Sequence, residues 1–194
     1  MRRNKKLILH LKFNEMKKIT GFLMALVLFV GCNDLDPYDE EQQLIDDINR
    51  IDEFLELNSI TAQEHISGIR YVITEVSNGD SPVAPNIVAA DYDLYRFTGE
   101  LIDTSNEDIA KEEGIYNPQR DYCAFRFQIG SGTVIPGFEI ATQILSEGAS
   151  GDFYIPSVLA YKNIGSGNIG ANENLLFRIT LRKARVEMDD ETCY

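Results

Sequence analysis

Three separated stretches of this chain carry side chains suited to lining one pocket: T-V-I-P-G-F-E at 133–139, F-Y-I-P-S-V-L-A-Y at 153–161 and N-L-L-F-R-I-T-L at 174–181. In the first, Val134 and Ile135 run through Pro136-Gly137 into a short helix opened by Phe138. In the second, a strand ends at Pro156 and a turn presents Tyr161; in the third, a strand carries Phe177. Each segment offers an aromatic or β-branched side chain beside a chain break, which is how a small β-sheet domain lines a concave apolar cavity. Such a cavity binds and orients, with a tyrosine hydroxyl as its polar handle. Nucleophilic and metal chemistry are poorly served. The two histidines, His10 and His65, are too few for a His-based metal site or a Ser-His-Asp triad. Gly165 to Gly170 matches G-x-G-x-x-G, but a strand follows it where a dinucleotide site needs a helix, so it reads as a turn. Ser131 sits between glycines without a base, and the acids at 189–191 lie in a solvated tail. No metal and no cofactor are expected.

The elements that must position these residues follow from periodicity. Leu44, Ile48, Ile51 and Leu55, with Ile45 and Phe54 beside them, give an amphipathic helix over 39–57. That stripe could cover its own domain, pair with a second copy, or hold the domain off a membrane. Ser59 to Gly68 reads as a polar connection, and Ile69, Tyr71 and Ile73 alternate as in a half-buried strand. Residues 91–101 form a second strand, with Tyr92 and Leu94 on one side and Tyr95, Phe97 and Gly99 on the other. Asn106 to Asp121 reads as a long charged surface loop. Cys123, Phe125, Phe127 and Ile129 share one face of the next strand; Phe138 to Leu145 is a short helix, and 152–155 and 175–183 are strands. The sum is an α+β domain, an antiparallel sheet with one short helix packed on it and an amphipathic helix before it.

The ordered pair V-I-P-G-F-E and Y-I-P-S-x-L-A-Y resembles the FKBP-type peptidyl-prolyl cis-trans isomerases, with the likeness covering roughly residues 68–184. S-G-I-R-Y at 67–71 is similar to that family's first strand, and Y-R-F-T-G-E-L at 95–101 to its Y-x-G-x-L strand. The resemblance implies that Phe138 is the floor under a proline ring, where the family usually has Trp. It implies that Val134 and Ile135 form one wall, with the Ile135 N–H facing the peptide, and that Tyr161 offers its hydroxyl to a substrate carbonyl. Phe125 and Phe177 would close the sides, Phe97 would stand where the family usually has Tyr, and Asp103 would be the pocket carboxylate. Ile102 would replace an aromatic wall, and Ile169 would be the apolar tip of the long loop. Isomerisation breaks no bond, so it needs no nucleophile, only a site that holds the twisted amide better than either planar form. The expected substrate is a proline-containing unfolded or exported polypeptide. The alternatives are a catalytically weak chaperone or peptide-binding module, favoured by Phe97, Ile102 and a shortened hairpin, and a scaffold that forms a homodimer through residues 39–57.

Charge and targeting set the compartment. The formal net charge is -13, and the seven basic residues within 1–31 leave the remainder more acidic still. A nucleic-acid partner is therefore not expected, because phosphate binding needs clustered Lys and Arg. Met16-Lys17-Lys18, the apolar run Ile19 to Val30 and Gly31-Cys32 read as a signal segment over 1–31, with a true start at Met16 as an option. Phe-Val-Gly-Cys resembles a bacterial lipobox, which implies lipidation at Cys32 and attachment to a membrane. An acidic tether and the amphipathic helix would fill 32–58, the isomerase domain 59–186 and an acidic tail 187–194. The compartment would be the envelope of a Gram-negative bacterium, at the outer membrane on its periplasmic or surface face. The tether resembles the export signals of Bacteroidetes surface lipoproteins. An oxidising envelope permits Cys123 and Cys193 to pair, and equally leaves them as two thiols.

Overall fold

The computed structural model describes residues 38–187 and 192–194. The expected signal segment, the start at Met16, the Cys32 lipidation site and residues 33–37 of the tether lie outside the described residues, as do 188–191 of the tail. Residues 39–194 form one compact unit.

The first helix, α1 (Glu40–Leu57), starts where Asp39 accepts hydrogen bonds from the N–H groups of Glu41 and Gln42 at 3.0 and 3.1 Å. Glu40 and Glu41 add negative charge to that first turn, where the helix dipole favours it. Strands β1 (Gln63–Glu64) and β2 (Arg70–Glu75) follow, then the long β3 (Ile87–Arg96) and β4 (Leu101–Thr104). A short helix α2 (Glu107–Glu112), β5 (Phe125–Gln128), α3 (Pro136–Ile144), β6 (Ser150–Ile155), a 3-10 turn (Ser157–Leu159) and β7 (Leu175–Val186) complete the chain. All pairings are antiparallel, in the order β1-β2-β6-β7-β3-β4, and β5 pairs the first half of β3 beside β4. The mixed α+β class expected from periodicity is the one observed.

Two expectations about elements change. The segment 106–121 is not all loop, because α2 occupies its first part. Asn106 caps that helix by accepting from the N–H groups of Asp108 and Ile109, and Glu107 and Lys111 pair across one turn. The strand expected over 91–101 is two strands joined by a turn at Gly99 (φ 88°).

The sheet is apolar on both faces at β6 and β7. Phe153, Tyr154 and Ile155 are all buried, as are Leu175, Leu176 and Phe177, although successive strand residues point to opposite sides. One face carries the main core of Ile69, Val88, Leu94, Phe127, Phe153, Phe177 and Ile179 beneath Phe138 and Leu145 at α3. The other face holds Tyr154 and Leu176 under Ile51 and Leu55 of α1, with Phe54, Tyr95 and Phe97 around them. The C-terminal half of the α1 stripe therefore packs on its own domain, the first of the three roles open to it. Cys123 and Cys193 form a disulfide that ties the C-terminus to the approach to β5.

Ile51 is fully buried and Ile45 is half exposed on the same helix. Ile51→Ala is expected to lower unfolding free energy by about 2–5 kcal/mol, and Ile45→Ala by less than about 0.5 kcal/mol. Denaturant titration checks both. Equal effects would mean that α1 does not pack as described.

Candidate functional site

The cavity opens on the main-core face, beside the N-terminus of α3. Pro136 occupies the first turn of that helix, where its missing N–H costs nothing. The proline holds Ile135 in an extended conformation (φ -62°, ψ 141°), so Val134 and Ile135 stand clear of the helix. Gly137 is required by close approach: a Cβ there would lie 2.3 Å from Cγ2 of Ile155 on β6. That contact lowers α3 onto the sheet and drives Phe138 into the aromatic cluster. The Phe138 ring, 4% exposed, lies 5.3 Å from Phe177, 5.5 Å from Phe127, 5.7 Å from Tyr92 and 6.2 Å from Phe125. These tilted and edge-on contacts are the favoured aromatic geometries.

The cavity has a volume of ≈ 270 Å³ and is lined by Tyr92, Leu94, Asp103, Phe125, Thr133, Val134, Ile135, Phe138, Tyr161 and Phe177. That size is at the low end of ligand pockets, roughly 300–1,000 Å³, and suits one ring with flanking backbone rather than a large cofactor. Seven of the residues singled out from the sequence meet here: Tyr161, Asp103, Phe138, Ile135, Val134, Phe125 and Phe177. Phe125 stands at the mouth, 41% exposed.

Three others do not line the cavity. Phe97 packs on the opposite face of the sheet, 4.5 Å from Phe54 of α1 and 6.0 Å from Tyr154. Strand alternation explains this, since Leu94 faces the cavity and Tyr95 and Phe97 face α1. Ile102 is half-buried at the edge of the main core; its neighbour Asp103, paired with Leu94 across the strands, takes the cavity-facing position. Ile169 is 8% exposed because the tight turn Ser166–Ile169 folds it down into the core.

Two polar residues were missed. Tyr92 donates its hydroxyl to Asp103 Oδ2 at 2.6 Å. Arg120, from the segment after α2, bonds Asp103 Oδ1 and donates to the Tyr92 hydroxyl at 3.0 Å. Burial, followed by the hydrogen bond to Asp103 and its charge, pushes the Tyr92 phenol pKa well above its ordinary value, with Arg120 opposing. Tyr92 was legible, because it alternates in phase with Leu94; Arg120 gave no signal in a charged loop. The Tyr161 pKa is also raised, by burial and then by the charge on Asp103. No described residue hydrogen-bonds the Tyr161 hydroxyl, which leaves it as a neutral donor facing the cavity. The Ile135 N–H is likewise not used by any turn or ladder bond among the described residues.

Comparison with known proteins gives a consistent result. The family model for FKBP-type peptidyl-prolyl cis-trans isomerase matches residues 79–182. The chain is 37% identical over 118 residues to a probable FKBP-type peptidyl-prolyl cis-trans isomerase, FkpA, of Neisseria meningitidis, covering 60% of this chain and 38% of that protein. It is 33% identical over 117 residues to the outer membrane protein MIP of Legionella longbeachae, covering 59% and 43%. The chain thus spans about two fifths of the length of these relatives. The crystal structure of Escherichia coli FkpA superposes with a TM-score of 0.55 at 21% identity, covering 85% of this chain and 70% of that one. A peptidyl-prolyl isomerase from Pseudomonas syringae gives 0.52 at 24%, covering 74% and 93%. At these identities the structures establish the fold.

The polar wall makes a signed prediction. Asp103→Asn is expected to lower the Tyr92 pKa and Arg120→Met to raise it, as read by ultraviolet titration of the phenols. Because the folded state holds the Tyr92 proton more tightly, its contribution to stability is complete below about pH 10 and is lost as pH rises beyond that. Shifts of opposite sign would overturn the assignment of these contacts.

Proposed function

The chain belongs to the FKBP-type peptidyl-prolyl cis-trans isomerase family, and from that premise we propose that its cavity accelerates rotation about X-Pro bonds in exported polypeptides. The observation that carries this reading is an aromatic floor, Phe138, in a cavity that also presents Tyr161, a neutral donor with no hydrogen-bond partner among the described residues. The barrier to rotation, about 18–20 kcal/mol, comes from amide resonance. A proline ring held on Phe138 between Ile135 and Phe177 is fixed while the preceding carbonyl rotates. An apolar surround disfavours the more polar planar form. The Tyr161 hydroxyl or the Ile135 N–H then holds the rotated oxygen, an interaction made best in the transition state. Each tenfold of rate needs about 1.4 kcal/mol of such preference. Tyr92, fixed by Asp103 and Arg120, holds the wall and is not free to donate to substrate.

The second reading, a chaperone-like module that grips proline-containing chains without catalysis, rested partly on a hydroxyl missing at Phe97. Tyr92 supplies a hydroxyl to the cavity wall from another position, and Ile102 lies outside the cavity, so two of that reading's three supports no longer count. For location, we infer a lipid anchor at Cys32 in the envelope of a Bacteroidetes-like Gram-negative bacterium, at the outer membrane on its periplasmic or surface face. The lipobox-like Phe-Val-Gly-Cys and the acidic tether support this, as does an outer-membrane protein among the relatives. Among the described residues no helix is long and apolar enough to cross a membrane.

The assay is isomerisation of a Leu-Pro or Phe-Pro peptide. Acceleration is expected, and a rate equal to the uncatalysed one would reject the enzymatic reading; suppressed client aggregation without acceleration would favour the second. Tyr161→Phe should lower kcat/KM about three- to tenfold, the worth of one hydrogen bond of about 1 kcal/mol or slightly more. With both cavity phenols held neutral, kcat/KM should stay level between about pH 6 and 9. A titration step inside that range would mean another group does the work.

A further inference from the structure

The side of α1 that faces the sheet carries one residue that a mere covering helix has no use for. Asp47 lies between Leu44, Ile48 and Ile51 in the apolar stripe and is fully buried. A buried carboxylate is costly unless its oxygens are hydrogen-bonded, and an aliphatic residue would cover the sheet without that cost. Here the bonds are supplied by the segment that leads to the cavity. Oδ2 of Asp47 accepts from the Ser157 hydroxyl at 2.6 Å and, weakly, from the Val158 N–H at 3.4 Å. Oδ1 accepts from the Gln43 amide at 2.8 Å, with the Arg50 guanidinium 3.7 Å away. The Asp47 main-chain carbonyl accepts from Asn174 Nδ2 at 3.1 Å, and Asn174 Oδ1 accepts from the Ser157 N–H at 3.0 Å. Helix α1, the 3-10 turn and the start of β7 are thereby closed into one polar triangle inside the protein.

The triangle is connected to the cavity by backbone. The Ser157 carbonyl accepts from the N–H groups of Ala160 at 3.0 Å and Lys162 at 2.9 Å, the residues on either side of Tyr161. A second tie reaches the same turn from the first turn of α1, where Glu40 pairs with Lys162 Nζ at 2.6 Å. Lys162 is itself held at φ 53°, a conformation that side chains other than glycine adopt reluctantly. A tyrosine in a turn is positioned only as well as the turn is held, and a hydroxyl that must meet a rotating carbonyl tolerates little displacement.

We propose that Asp47 is a positioning residue for the cavity: through Ser157 it fixes the turn that aims the Tyr161 hydroxyl, which makes α1 part of the working site. This rests on the isomerase reading for its catalytic consequence, but the placement of Tyr161 is independent of it.

The test is a double-mutant cycle in the full chain, far below the unfolding temperature of each variant. Asp47→Leu keeps the approximate size and removes both acceptor oxygens, including the one that takes the Ser157 hydroxyl. It is expected to lower kcat/KM on a Leu-Pro peptide about tenfold in the otherwise native chain, but less than about twofold when Tyr161 is already Phe. An equal loss in both backgrounds would overturn the proposal, because a purely structural residue has no reason to act through one hydroxyl. Should Asp47→Leu fail to fold, Lys162→Met cuts the exposed tie without disturbing the buried one. It should give a smaller loss, about twofold, that also vanishes with Tyr161→Phe; persistence of that loss counts against the proposal. Ring resonances of selectively labelled Tyr161 separate the two readings. A native chain that does not accelerate isomerisation rejects the enzymatic reading alone, whereas unchanged Tyr161 resonances in Asp47→Leu and Lys162→Met reject the positioning role whatever the activity.

Discussion

The structure depends on strands β6 and β7 being apolar on both faces where they run side by side. Phe153, Ile155, Leu175 and Phe177 must be hidden on one face, and Tyr154 and Leu176 on the other. A single helix cannot cover both faces, and exposing either would leave large aromatic area in water. The sheet is therefore covered twice, by α3 on one face and α1 on the other. The cavity is the part of the first face that α3, only nine residues long, does not reach. Its floor and sides are core residues left partly uncovered, which is why Phe138 and Phe177 belong both to the core and to the cavity.

This double membership explains how far the sequence could be read. The motifs around Pro136-Gly137 and Pro156 are local: proline and glycine dictate the backbone there, so Val134, Ile135, Phe138 and Tyr161 could be placed without knowing the fold. Residues on β3 needed the right face. The alternation of Tyr92 and Leu94 against Tyr95 and Phe97 already contained the answer, but matching Y-R-F-T-G-E-L to the family strand put Phe97 in the cavity against its own periodicity. The physical period was the better guide. Helix α2 was also legible, since Asn106, two acids, Lys111 and Gly114 are ordered start and stop signals. Arg120 was not. Its role depends on a contact with Asp103 across seventeen residues, and no local rule describes that.

The two cavity phenols are prepared differently, and the difference bears on what each can do. Tyr92 donates its hydroxyl hydrogen bond to Asp103 and accepts one from Arg120, so its hydroxyl is saturated and the wall it forms is stiff. Tyr161 has the same chemistry but no hydrogen-bond partner among the described residues, so its donor is available. A site of this kind must offer few polar groups, because every spare donor or acceptor would bind the planar amide as readily as the twisted one. The wall therefore uses its carboxylate to occupy its own tyrosine.

Binding the twisted form better than the planar forms demands that the available donor be held still, and a turn between strands is the least rigid place to hold it. The bonds from Ser157 to Ala160 and Lys162 flank Tyr161, but they stiffen the turn only against itself. Something outside must fix Ser157, and the main core cannot, because its side chains offer no polar partner. The opposite face of the sheet supplies one through Asp47, at the cost of burying a carboxylate. Helix α1 thus meets two separate demands with one stripe: Ile51 and Leu55 hide the second apolar face, and Asp47, one turn earlier, reaches the segment just beyond the end of β6 that the first face needs held.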